Sequence, residues 1–194
     1  MARWLAAVML WLLPALSWAE VTCGRVDHDT ARYTVCEVDV AQADLRLFLY
    51  DPKFRPYGHF ATLDDSLYDQ GLRLSFAMNA GMYHNDRAPV GHYVEDGMEL
   101  MRVIPTPGPG NFGLLPNGVL CFGPGRFAVI ETMRFLRDRP SCRYATQSGP
   151  MLVIDGDLHP RFLVDSTSRF IRNGVGVSPD GATAYFAISE DTVT

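Results

Sequence analysis

Four stretches of the sequence place polar or reactive side chains where an apolar run hands over to a turn. In "FAMNAGMYHNDRAPVG" (76–91), Asn79 ends the apolar run and Gly81 lets the backbone turn sharply or approach a ligand closely. His84 and His92 flank this turn as candidates for a base or a ligand, although an isolated histidine is more often a hydrogen-bonding residue of surface or core. In "YATQSGPMLVIDG" (144–156), Gln147 and Ser148 stand just before a Gly-Pro turn. A glutamine there suits a sugar hydroxyl. Ser148 would need a positioned base to act as a nucleophile, and the alternative is a serine that stabilises the turn. In "SRFIRNGVGVSPDG" (168–181), Arg169 and Arg172 precede a glycine-rich strand, and one guanidinium could clamp a phosphate at two points. Glu190 and Asp191 close the last apolar run as possible acid, base or nucleophile groups.

The commonest catalytic templates are missing. There is no HExxH, no GxSxG elbow, no Walker loop and no GxGxxG opening a helix, so metalloprotease, serine-hydrolase and nucleotide-binding readings lack support. The four cysteines form no CxxC, which argues against zinc, and no metal or other cofactor is expected.

The elements that must position these residues read mostly as strands. Alternating or β-rich runs occupy 32–40, 45–50, 72–78, 91–94, 98–104, 118–122, 126–132, 151–154 and 182–189. Asp96-Gly97, Asp155-Gly156 and Asp180-Gly181 fall between such runs and supply hairpin turns. One helix is expected over 62–71, with Thr62 as N-cap and Gly71 at its end, and a shorter helical turn over 132–138. Residues 105–118, rich in proline and glycine, read as a loop. The expected fold class is α+β, a single domain around a mixed, largely antiparallel β-sheet with few helices.

Residues 1–19 combine an early arginine, a short apolar stretch and small residues before Glu20, the pattern of a secretory signal. The remaining domain, residues 20–194, is therefore expected in the periplasm or secreted, with no later membrane span. Four cysteines in an exported chain favour disulfides, and pairing sequence neighbours (Cys23 with Cys36, Cys121 with Cys142) is preferred among three possible connectivities. The net charge is −5, and slightly more negative once Arg3 leaves with the signal, which disfavours a nucleic-acid partner. The chain ends directly after an apolar strand, "YFAISEDTVT", and the expectation is that the natural protein continues.

Singly these pieces are unspecific, but the order "NAGMY", "PVGHYVEDG", "QSGPMLV", "RNGVGVSPDG" resembles the phosphodiester glycosidase family over roughly residues 45–194. The match falls on Asn79, Gly81 and Tyr83, on Pro89, Gly91, Asp96 and Gly97, on Gln147 to Pro150, and on Arg172 and Gly176. A further Asp-Gly-Gly-Ser-like turn of the family has no counterpart before Thr194.

The resemblance implies hydrolysis of a sugar-1-phosphodiester in an exported glycan. Arg172 is then expected on the phosphate, Glu190 on the attacking water, and Asn79, Gly81, His92, Gln147 and Ser148 around the sugar. Two other classes stand beside this reading. One is a glycan-binding module without turnover; the other is a phosphodiesterase attacking phosphorus, which would need metal ligands that the sequence does not offer.

Overall fold

A computed structural model of the protein describes residues 20–162 and 166–194, so the expected signal segment lies outside the described residues. The chain begins with a long hairpin, β1 (Val21–His28) and β2 (Ala31–Asp39), and reaches helix α1 (Phe60–Tyr68). A tight hairpin follows, β3 (Tyr93–Glu95) and β4 (Met98–Met101), then β5 (Gly118–Gly123) and β6 (Arg126–Glu131), then α2 (Thr132–Asp138) and β7 (Tyr144–Ser148). The last elements are the small hairpin β8 (Val153–Ile154) and β9 (Asp157–Leu158), then β10 (Asn173–Val177) and β11 (Thr183–Ser189).

These strands form two sheets and a separate hairpin rather than one sheet. The order is β1-β2-β11-β10 in a four-stranded sheet and β4-β3-β7-β5-β6 in a five-stranded sheet, with β8-β9 apart. Every named strand pairing is antiparallel. With only two helices in the described residues the class is α+β, as the hairpin signals imply. Asp96 and Asp155, each followed by a glycine, take the positive φ of a tight turn at 49° and 53°, whereas at 180–181 only Gly181 does, at 74°.

Strand β5 explains the layering. Its sequence GVLCFG is apolar on both faces, so it must be covered twice. Leu120 and Phe122 turn one way, joining Phe127, Tyr144 and, from the four-stranded sheet, Val38 and Ala184. Val119 and Cys121 turn the other way, joining Val94, Ala145 and Phe135 of α2. The result is three layers with the five-stranded sheet in the middle. The disulfides Cys23–Cys36 and Cys121–Cys142 form between sequence neighbours, the first directly across the β1–β2 ladder.

Two expected strands do not form. Residues 45–50 and 72–78 join no ladder, Tyr50 making only an isolated bridge to Pro56 and Ser75 lying at a bend; Leu45, Leu47 and Phe76 still pack onto the first core. Their backbone groups find side-chain partners instead: Leu49 N–H donates to Glu95 Oε2 (3.0 Å) and Leu74 N–H to Asp64 Oδ1 (3.3 Å). Helix α1 starts earlier than expected, at Phe60, and its N-cap is His59 without a side-chain bond, not Thr62. It ends near the expected glycine, where Gly71 (φ +75°) lets Leu72 N–H reach back to Leu67 O. Helix α2 occupies the expected 132–138, and Glu131 caps it by accepting from Met133 and Arg134 N–H, both at 2.9 Å. Among the described residues no helix is long and apolar enough to cross a membrane.

Candidate functional site

Three of the four sequence pieces meet at the C-terminal end of β7. The direction of each side chain follows from strand parity. Gln147 pairs with Val119 and so faces α2, while Thr146 and Ser148 pair with Leu120 and Gly118 and face the four-stranded sheet.

Gln147 is 1% exposed and its amide is fully engaged by the protein. Oε1 accepts from His92 N–H (3.1 Å) and Ile104 N–H (3.0 Å). Nε2 donates to Ile104 O (2.8 Å), Thr132 Oγ1 (3.1 Å) and Asn117 Oδ1 (3.3 Å). Thr132 Oγ1 in turn donates to Asn117 Oδ1 at 2.6 Å. The network ties the PVGH segment, the stretch that follows β4 at Ile104, the loop before β5 and the first residue of α2 to one side chain. Both amide hydrogens therefore have acceptors within the protein.

His92 is likewise buried, at 4% exposure. Its Nδ1 lies 2.9 Å from Met101 O and its ring packs on Phe135, centroids 5.2 Å apart. The glycines around this point are required by close approach. A Cβ on Gly81 would fall inside contact distance of Thr146 Oγ1 and 2.6 Å from Gln147 O; one on Gly91 would fall 2.5 Å from Phe112 Cζ. Thus the NAGM loop lies directly on the backbone of β7. Asn79 is exposed beside it, and Ser148 is half-buried on the side facing the four-stranded sheet.

Arg172 and Glu190 belong to the other sheet. Arg172 precedes β10 and Glu190 follows β11, and Ser189 N–H donates to Arg172 O (2.8 Å), so the two stand at adjacent strand ends. Their side chains have different partners. Arg172 Nη2 donates to Ser168 O (3.0 Å) and Oγ (3.2 Å), with the guanidinium over the Phe170 ring at 5.0 Å. Glu190 Oε1 accepts from Arg25 Nε (3.0 Å) and Thr34 Oγ1 (3.1 Å). The two clusters connect through Leu152, four residues beyond Ser148, whose Cδ1 lies 3.8 Å from the Cβ position of Gly174.

Two groups carry no sequence signal of their own. Glu95 is half-buried, accepts from Tyr93 Oη (2.9 Å) and Leu49 N–H, and is pushed above the usual carboxylate range by burial, which those two bonds oppose. Burial likewise pushes the Tyr93 hydroxyl up. His159, 2% exposed, accepts from Arg161 N–H at Nδ1 (3.2 Å), and its buried Nε2 meets no partner among the described residues. Glu95 depends on one partner distant in sequence, Leu49. Among the described residues no three His, Cys, Asp or Glu side chains converge as metal ligands.

Residues 73–193 match the family model described as phosphodiester glycosidase. The chain is also 29% identical over 181 residues to the uncharacterized protein YigE of Escherichia coli (strain K12), an alignment that covers 93% of this chain and 70% of that protein.

Proposed function

The chain belongs to the phosphodiester glycosidase family, and from that premise we propose that it hydrolyses the glycosidic bond of a sugar-1-phosphodiester carried by an exported or envelope glycan. The observation that carries this reading is the meeting of the NAGM loop, the PVGH segment and the QSGP turn around one buried glutamine. These are the pieces in which the sequence resembles the family.

In such a substrate water adds at the sugar C1, the C1–O bond breaks, and its electron pair leaves on a phosphomonoester. A phosphomonoester is a far better leaving group than a sugar alkoxide, so little general-acid help is needed. What remains is to stabilise charge on phosphate and on an oxocarbenium-like sugar. Arg172 suits the first task. Only its Nη2 has acceptors among the described residues, both on Ser168, so a phosphate that forks onto Nη2 together with Nε or Nη1 would take the place of Ser168. Glu190, at the adjacent strand end, is assigned to take the proton from water. Asn79 and Ser148 would contact sugar hydroxyls, while Gly81, His92 and Gln147 shape the wall behind them.

The test uses ¹⁸O-labelled water and glucose 1-(ethyl phosphate). Label appearing in the sugar supports cleavage at carbon; label in the phosphate would assign a phosphodiesterase. Binding without turnover would favour a glycan-binding module. Arg172→Ala should lower kcat/KM about a hundredfold to a thousandfold, as for loss of one transition-state donor in a water-poor site. Arg172→Lys should recover little, because the planar two-point contact is gone.

A further inference from the structure

The surface beside Arg172 is unusually apolar for an acidic protein. Of the large apolar side chains left exposed, six fall within residues 152–171, among them Leu152 at 56%, Phe170 at 59% and Ile171 at 51%. Three arginines, Arg161, Arg169 and Arg172, are interleaved with them. None of the three forms an ion pair among the described residues. Arg169 donates to Thr192 O and Arg172 to Ser168, both neutral acceptors. These guanidiniums, among the described residues, are thus held by neutral partners and set beside exposed hydrocarbon, with Glu190 at the strand end next to Arg172.

The surface also has a shape. Gly174 and Gly176 pair with Ala187 and Tyr185 and face the same side as they do, away from Val175 and Val177 in the core. A Cβ on Gly176 would meet nothing within 4 Å, and one on Gly174 only Leu152. Two glycines on one face of an edge strand leave a strip free of side chains, with Leu152 beside Gly174 and Tyr185, 37% exposed, paired across from Gly176. The strip begins at Arg172 and runs to Gly176. At the rise of an antiparallel strand it is about 13 Å long, room for an alkyl chain of roughly eight to ten carbons.

A cation at one end and an open strip bordered by apolar side chains leading from it complement an anion esterified to a hydrocarbon. We propose that the aglycone of the substrate is an apolar alcohol, an alkyl or prenyl chain that lies along the Gly174–Gly176 strip while its phosphate sits on Arg172. The inference rests on the phosphodiester reading above and adds to it the class of molecule esterified to the phosphate. A lipid-like aglycone also fits the exposed aromatic ring of Phe170, which backs the guanidinium and keeps water from one of its faces.

The experiment compares octyl phosphate, below its micelle-forming concentration, with ethyl phosphate, by calorimetric titration of the whole protein. It then compares glucose 1-(octyl phosphate) with glucose 1-(ethyl phosphate) as substrates. The octyl ligand should bind about tenfold tighter, the worth of roughly two buried methylenes, and its diester should show a similar advantage in kcat/KM. Gly176→Val, which has open space to occupy and suits a strand, should abolish the octyl advantage and leave ethyl phosphate binding unchanged. Leu152→Ser should reduce the advantage, with thermal melting to confirm the fold of both variants.

Equal binding and equal turnover of the octyl and ethyl compounds would overturn the inference and leave the glycosidase reading standing. Failure of Arg172→Ala to weaken either phosphate, with no turnover of either diester, would overturn both. Two further results would assign the strip elsewhere and sink the proposal: vesicle binding lost in Leu152→Ser without any octyl preference, or a wild-type dimer that Gly176→Val dissociates.

Discussion

Replacing Gln147 by glutamate tests whether the site is held by one buried amide. The two side chains have nearly the same shape, so packing is preserved and only hydrogens and charge change. A glutamate could still accept from His92 and Ile104 N–H, now 3.1 and 3.0 Å from Oε1. It would lose the donor that meets Ile104 O at 2.8 Å, and Thr132 Oγ1 would face a second acceptor. Asn117 Oδ1 keeps its bond from Thr132. Orphaning one carbonyl costs about 1 to 3 kcal/mol.

The charge adds a separate cost with a ceiling. At 1% exposure and with no cation among its partners, the carboxyl would stay protonated in the folded state. Taking up a proton at pH 7 from an unfolded carboxyl of pKa near 4.3 costs at most about 4 kcal/mol. The protonated form can donate to Ile104 O and recover that bond. The sum is therefore a loss of about 4 to 5 kcal/mol at pH 7, falling to about 1 kcal/mol near pH 4. The sign follows from the raised folded pKa: stability of the variant is lost as pH rises from about 4.3. Urea unfolding of wild type and variant at both pH values reads the gap, and Gln147→Met, which cannot titrate, should show a loss that does not change with pH. A gap under about 1 kcal/mol at pH 7, or one that does not narrow in acid, would refute the account of Gln147 as an obligate internal donor.

Other expectations follow from the same contacts. Gly81→Ala should destabilise by about 1 to 3 kcal/mol through overlap with β7, lowering Tm by several degrees in calorimetry, and Thr146→Ala should rescue only part of it, because Gln147 O remains 2.6 Å away. Glu95→Gln should remove a pH dependence: the raised folded pKa makes wild type lose stability as pH rises above about 4.3, whereas the amide, still accepting from Tyr93 and Leu49, should be flat there in urea titrations. The double variant Cys121→Ser/Cys142→Ser opens a 21-residue separation and should lose about 3 kcal/mol, while thiol titration of the unreduced wild type, unfolded in denaturant, should find no free thiol.

Much of this protein could be read along the chain because the signals were local. Helix α2, the Asp-Gly hairpins at 96 and 155, strands such as β2, β6 and β11, and both disulfide pairs depend on residues close in sequence. Runs 45–50 and 72–78 show the limit of that reading. Period-two alternation says that one side of a segment meets the core, as Leu45, Leu47 and Phe76 do; it does not say that another strand lies beside them, and here side chains of Glu95 and Asp64 take the Leu49 and Leu74 N–H groups instead. Strand β1 escaped notice for the converse reason, since its eight residues are almost all exposed and its partner, not its pattern, makes it a strand.

The candidate site divides in the same way. The sequence alone marked Asn79, Gly81, His92, Gln147, Ser148, Arg172 and Glu190, because amides, glycines and arginines at strand ends suit a sugar and a phosphate. Which of them face outward was decided by the register of β7 and by the contacts of its neighbours. Pairing Gln147 with Val119 turns its amide toward α2 and into the protein, while pairing Ser148 with Gly118 turns the serine the other way. A shift of one residue would exchange their roles, and register is set by cross-strand partners that lie 28 to 30 positions away in the chain, beyond the reach of any local pattern.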